Sequence, residues 1–201
     1  MGLYDHTYFL NRFELLIWKI RNQEKFEINN IANNIVKKID SNKSALKKNQ
    51  ILAVQQILKF KGFSPDELFY NKNGAPFLKN DLKISISHSG SYAAVCLSKE
   101  KMGIDLQTVN EKILRIVDKF TNQTEKKLMD ENNLEDMTQL WTIKEAAYKY
   151  FSVGQLNFKS DILVSELGDE SQLKINVSDQ VLNLKSKSII TSNYICSIVY
   201  L

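Results

Sequence analysis

The chain has 201 residues, 43% hydrophobic and 25% charged, with a formal net charge of +4 at pH 7. That is the composition of a soluble globular protein, long enough for one domain of ordinary size or two small ones with a sizeable core. Apolar runs such as "ELLIW" and "YAAVCL" fall far short of the ~20 residues a membrane span needs, which argues against a membrane partner, while the mild positive charge suits an anionic one.

The N-terminal stretch "MGLYDHTYFLNRFELLIWKI" mixes acidic and basic residues among its apolar ones and makes a poor secretory signal. His6 stands where a myristoylation signal needs Ser or Thr. Helical periodicity is read over 8–20 and over 44–61, with Gly62 closing the second. Between them, the Asn- and Lys-rich stretch 22–43 accommodates an amphipathic helix on Ile31, Ile35 and Ile39. "NKNGAPF" (71–77) is turn chemistry. "KISISH" (83–88) alternates as a strand does, "SYAAVCLS" (91–98) reads as its partner, and "MGIDLQTV" (102–109) as a further strand. Helices are expected at about 110–120, 124–132 and 135–151, then strands at 161–166, 172–177, 186–190 and 193–200.

Cys96 and Cys196 have neither metal spacing nor a disulfide framework, so buried free thiols and a cytoplasmic location are expected. His6 and His88 are too few and too far apart for a zinc site. The two cysteine-bearing strands, "YAAVCLS" and "NYICSIV", place their cysteines 196 − 96 = 100 positions apart, each at the end of a run from helices into strands. This weak repeat predicts an α+β fold of two similar halves, 1–100 and 101–201. Each would be a small, mainly antiparallel sheet packed with helices, the two related by a pseudo-twofold axis with a ligand site in the cleft between them.

Three stretches carry polar groups where the pattern calls for apolar ones. "ISHSGS" puts Ser87, His88 and Ser89 at a strand end beside Gly90. "GIDLQ" puts Asp105 and Gln107 on one face of a strand, since i and i+2 point the same way. "LWTIKEAAYKYF" (140–151) reads as a helix with Lys144, Glu145 and Lys149 in its middle turns. Each has an ordinary explanation: a capped turn for His88, an N-cap or turn for Asp105, and an i, i+4 ion pair between Glu145 and Lys149 worth about 0.2–0.5 kcal/mol. Together they compose a site for a divalent ion and phosphates. Magnesium takes one or two carboxylates and the phosphate oxygens of a substrate, and cationic side chains meet the remaining charge, as phosphoryl-type transfer requires.

The succession "GAPFL", "ISISHSGSYAAVCL", "GIDLQ", "LWTIKEAAYK" resembles the 4′-phosphopantetheinyl transferases, in particular the large monomeric class that activates acyl and peptidyl carrier proteins. The family's W-x-x-K-E-[AS]-x-x-K helix is complete in Trp141, Lys144, Glu145, Ala146 and Lys149, and similarity extends from about Ser44 to Phe158. The resemblance implies the two-half α+β fold, with coenzyme A in the cleft and magnesium between its pyrophosphate and the acidic residues. It implies transfer of the phosphopantetheine arm to a serine of an apo carrier protein, with adenosine 3′,5′-bisphosphate leaving. By position, Asp105, Gln107 and Glu145 become metal ligands, Ser87 and His88 meet the 3′-phosphate side of coenzyme A, and Lys149 and Lys144 neutralise phosphate charge. Glu145, directly or through water, accepts the serine proton.

Two departures from the family pattern stand out. Gln107 replaces the second acid of G-x-D-x-E, which keeps an oxygen ligand but loses its charge. Ala75 replaces the lysine of a Gly-Lys-Pro motif, leaving Lys72 or Lys79 as substitutes. Lys47 and Lys48 sit where the family tends to open a helix with arginines. The expected partners are coenzyme A and an acidic carrier protein, whose encounter a basic surface speeds. A monomer is expected and nucleic acid is not, because the basic residues form no stripe. Gln107 and Ala75 also support an alternative, a catalytically silent coenzyme A-binding homologue.

Overall fold

The computed structural model describes residues 2–26, 31–130, 132–151, 156–177 and 180–201. The chain divides into two compact units, Met1–Glu100 and Lys101–Leu201. Both combine antiparallel sheet with helix, which makes the protein α+β.

The first unit opens with a hairpin, not the helix expected over 8–20. Strands β1 (Leu3–Phe9) and β2 (Phe13–Lys19) pair in antiparallel register out from Phe9 opposite Phe13. At the turn, Leu10 and Asn11 both take positive φ, 52° and 53°, and the Arg12 N–H donates to Phe9 O at 2.9 Å. The difference has a physical cause. Leu15, Leu16, Ile17 and Trp18 are all buried, so β2 lacks the apolar–polar alternation that marks a strand covered on one face only.

Helix α1 (Asn33–Asp40) carries the expected Ile35 into the core, and α2 (Ala45–Phe60) begins where the Ser44 hydroxyl accepts from the Lys47 N–H. A short hairpin follows, β3 (Leu68–Tyr70) with β4 (Pro76–Leu78), turned at Gly74 with φ 81°. β5 (Lys83–Ser89) and β6 (Tyr92–Ser98) then complete a four-stranded sheet in the order β1-β2-β6-β5. α2 sets Ala53, Val54, Ile57 and Leu58 against Leu16, Trp18, Ala93 and Val95 to form this unit's core.

In the second unit, β7 (Met102–Thr108), β8 (Ile162–Val164), β9 (Glu170–Val177), β10 (Gln180–Ile190) and β11 (Tyr194–Tyr200) form an antiparallel sheet in the order β7-β11-β10-β9-β8. The helices expected at 110–120 and 124–132 shrink to a 3-10 turn (Glu111–Arg115), α3 (Val117–Phe120) and α4 (Gln123–Lys126). The long helix α5 (Leu134–Phe151) starts as the sequence indicates. Asn133 Oδ1 accepts from the Glu135 N–H at 2.9 Å, and Glu135 and Asp136 lie where the helix dipole favours negative charge. Leu140, Ile143, Ala146 and Ala147 of α5 pack on Val199, Leu173, Ile175 and Leu184. Cys96 and Cys196 are free, buried and on interior strands of their respective sheets. No described helix is long and apolar enough to cross a membrane.

Candidate active site in the second unit

Gly103 brings the site residues together. Asp105 and Gln107 share its face of β7. A Cβ on Gly103 would collide with the Ala146 carbonyl and come within 2.6 Å of the Tyr150 amide. Only a residue without a side chain lets the α5 backbone lie directly on the strand. Two residues along β7 from this contact, Asp105 meets the helix. Lys149 Nζ donates to Asp105 Oδ1 at 2.7 Å, with the Asp105 side chain 8% exposed and the Lys149 side chain 29% exposed.

Glu145 completes the group. Burial, with the charge of Asp105 adding to it and Lys149 partly opposing it, raises its pKa from 4.5 to about 7. The i, i+4 pair anticipated between Glu145 and Lys149 therefore has a different form, because the strand carboxylate takes the lysine's hydrogen bond. Among the described residues, two carboxylates face the Lys149 ammonium, so this group carries more potential negative charge than positive.

That imbalance is the condition a divalent cation relieves. Among the described residues no group of three or more His, Cys, Asp and Glu gathers as a metal site. The donor set is two carboxylates with the Gln107 amide on the strand face of Asp105. Hard oxygen donors of this kind fit magnesium or manganese, with further positions left for water and substrate oxygens. The residues fit the ion the resemblance implies.

The same helix turns a different face to a different task, and here the structure corrects the sequence reading. Lys144 is not a phosphate contact. Its side chain is wholly buried, and Nζ donates to Glu125 at 2.7 Å, to Phe120 O at 2.8 Å and to Phe158 O at 2.7 Å. An ammonium has three protons, and three acceptor groups take them. Burial pulls the Lys144 pKa down and the Glu125 carboxylate pulls it back. With all three protons directed at oxygens, the charged form is the one this geometry accommodates. Trp141 and Tyr148 flank Lys144 on the same face, each stacked with Phe158 at 5.5 Å between ring centroids, and Trp141 meets Phe120 at 5.0 Å. The W-x-x-K half of the motif thus anchors α5 to the segments around 120–125 and 158. The E-x-x-x-K half faces β7.

Glu125 was not singled out from sequence. One of its oxygens accepts the Asn122 N–H at 3.0 Å as part of a capping box, and the other accepts the Val164 N–H at 2.9 Å. "NQTE" reads as a purely local helix start, and nothing in it announces a buried lysine 19 residues on.

The other expected contacts lie in the first unit. Ser87 and His88 are adjacent on β5 and point to opposite faces, the serine 5% exposed and the histidine exposed. Gln50 Nε2 donates to Gly90 O at 2.8 Å, which brings the first turns of α2, with exposed Lys47, beside the β5–β6 turn. Lys72 is exposed on the 71–75 turn. Lys79 pairs with Asp66 at 3.2 Å.

Residues 101–199 match the model of a protein family described as the 4′-phosphopantetheinyl transferase superfamily. A 4′-phosphopantetheinyl transferase of Aneurinibacillus migulanus is 24% identical over 111 residues, covering 52% of this chain and 47% of that protein. The chain therefore aligns with about half the length of that curated relative. The family match spans Gly103, Asp105, Gln107, Glu145 and Lys149.

Proposed function

We propose that the chain, whose residues 101–199 match the 4′-phosphopantetheinyl transferase superfamily, moves the phosphopantetheine arm of coenzyme A onto a serine of an apo acyl or peptidyl carrier protein. The observation that carries this reading is the juxtaposition of Asp105, Glu145 and Lys149, two carboxylates and an ammonium brought together by β7 and α5.

Asp105, Glu145 and Gln107 would hold a magnesium ion, which when bound offsets the charge of the pyrophosphate. Lys149, within reach of Asp105, presents its ammonium to the same phosphates. Glu145 accepts the proton of the carrier serine as its Oγ bonds to the phosphorus of the pantetheine-side phosphate. The bond from that phosphorus to the bridging oxygen breaks, and adenosine 3′,5′-bisphosphate leaves with the electron pair. Positioning and electrostatics do most of the work in such a transfer. Ser87 and His88 are proposed to meet coenzyme A on its 3′-phosphate side and Lys47 and Lys72 to contact the coenzyme as well, a cytoplasmic monomer being the form expected to act.

Release of adenosine 3′,5′-bisphosphate from coenzyme A, followed chromatographically with magnesium present, tests the proposal. Release that requires an apo carrier supports the transferase. Release without any carrier points to a phosphohydrolase instead. Coenzyme A binding without release under either condition is the behaviour of a silent homologue, for which Gln107 and Ala75 would be responsible.

A further inference from the structure

Between α5 and its sheet runs a short chain of buried hydroxyls. Thr142 Oγ1 donates to Gln139 O at 2.9 Å, and it lies 2.7 Å from Ser197 Oγ, which lies 2.9 Å from Ser188 Oγ. Thr142 and Ser197 are fully buried, and Ser188 is 6% exposed. A hydroxyl has one proton. Because that of Thr142 goes to Gln139 O, Ser197 must donate to Thr142, and Ser188 in turn to Ser197. The chain has one direction and every proton in it is used.

Its location gives it a consequence. Ser197 of β11 is the cross-strand partner of Asp105 on β7, and Ser188 of β10 is the partner of Ser197. Thr142 lies three residues before Glu145 and seven before Lys149, so all three line the strip of α5 that looks toward the sheet. One hydrogen bond thus joins the residue beside Asp105 to the helical turn that carries Glu145. Apart from the Lys149–Asp105 ion pair at the site and the backbone contact at Gly103, α5 packs on this sheet largely through aliphatic groups, Leu140, Ile143, Ala146 and Ala147 against Leu173, Ile175, Leu184 and Val199. Contacts of that kind are non-directional and tolerate sliding. A buried hydroxyl pair does not, because displacement strands a donor away from water.

We infer that the Thr142–Ser197 hydrogen bond sets the axial register of α5 on β7, and with it the spacing of Glu145 from Asp105. Thr142 and Ser197 are positioning residues in this account. The inference deepens the proposed function, since it rests on reading Asp105 and Glu145 as ligands of one divalent ion.

The test uses the full chain and two substitutions at one position. Thr142→Val keeps the shape and removes the hydroxyl; Thr142→Ser keeps the hydroxyl and removes a methyl group. Manganese affinity is measured by the loss of its free-ion electron paramagnetic resonance signal, with thermal melting alongside. Residues that orient metal ligands change affinity by about 10-fold or more when altered. The expected result is a loss of about that size for Thr142→Val, with Thr142→Ser close to the unaltered protein even though both melt earlier. Equal manganese affinity in the two variants would overturn the inference. If the unaltered protein binds no manganese, the metal reading itself falls, and positioning is judged by unfolding equilibria alone. Thr142→Val combined with Lys149→Met should then depart from additivity by more than about twofold in the unfolding constant, and strict additivity would overturn it.

Discussion

Lys144 and Glu125 form an ion pair at 2.7 Å in which neither side chain is more than 1% exposed. Its geometry ties the middle of α5 to the start of α4, and through the Val164 amide to β8. A lysine of the motif therefore serves the fold, and the proposed chemistry is assigned to Glu145 and Lys149, on the next face of the helix.

Removing one partner of such a pair strands the other's charge in the interior. Lys144→Met should cost about 3–5 kcal/mol of stability, read as a lower urea midpoint with unchanged slope. Adding Glu125→Gln should recover part of the loss, because the stranded charge disappears. Coenzyme A affinity of the folded protein should stay within about twofold in both. A selective loss of coenzyme A binding in Lys144→Met, at undiminished stability, would return Lys144 to the phosphate site.

At Gly103 the constraint is steric. Alanine would place a methyl group into the backbone of α5 at Ala146 and Tyr150, where no flexible side chain can yield. Overpacking of this kind costs about 1–3 kcal/mol or more, and here it also pushes α5 away from β7. Gly103→Ala should lower both the melting temperature and divalent-ion affinity. A variant that melts and binds normally would show the contact to be compliant.

Glu145 gives stability a pH dependence of definite sign. Its folded-state pKa, about 7, lies above the ordinary 4.5, so the folded chain keeps a proton that the unfolded chain gives up. Between about pH 4.5 and 7 the unfolded state therefore gains relative to the folded one, and metal-free stability falls as pH rises across that window. Glu145→Gln should remove this component of the slope, as should saturating magnesium, which favours the charged form. Urea titrations at pH 5 and pH 7.5 measure it, and an unchanged slope in Glu145→Gln would contradict the assignment.

Gln107 allows a gain-of-affinity test. Glutamate there adds a charge on the strand face of Asp105, and ion affinity rises with the number of charged ligands. Gln107→Glu should bind manganese on the order of tenfold more tightly. In the absence of metal it should raise the Glu145 pKa further. Unaltered affinity would place the Gln107 side chain outside the ligand set.

How much of this was legible in sequence depended on whether the signal was local. β5 was readable from its alternation, β6 as its partner across a Ser-Gly turn, and α5 from the helical spacing of bulky residues in "LWTIKEAAYKYF", all of them short-range features. The opening hairpin was not, because a strand buried on both faces shows the same apolar run as a helix, and its turn uses Leu10 and Asn11 where glycine is the usual marker. In the site, Asp105 and Gln107 were placed on one face by strand periodicity alone. The pairing of Lys149 with Asp105 required the approach of α5 to β7, whose closeness Gly103 permits and no spacing announces. Glu125 and the hydroxyls of Thr142 and Ser197 were silent for the same reason: their partners lie 19 and 55 residues away.

Whether Glu145 drives transfer to a carrier protein is decided by the intact mass of the carrier. Purified chain, coenzyme A, magnesium and an apo carrier are incubated beside an identical mixture containing Glu145→Gln. The carrier should gain the mass of one phosphopantetheine group, and that gain should vanish with Glu145→Gln and with chelator. Equal modification by Glu145→Gln would contradict the role of that carboxylate, and an unmodified carrier in every mixture would contradict the transferase.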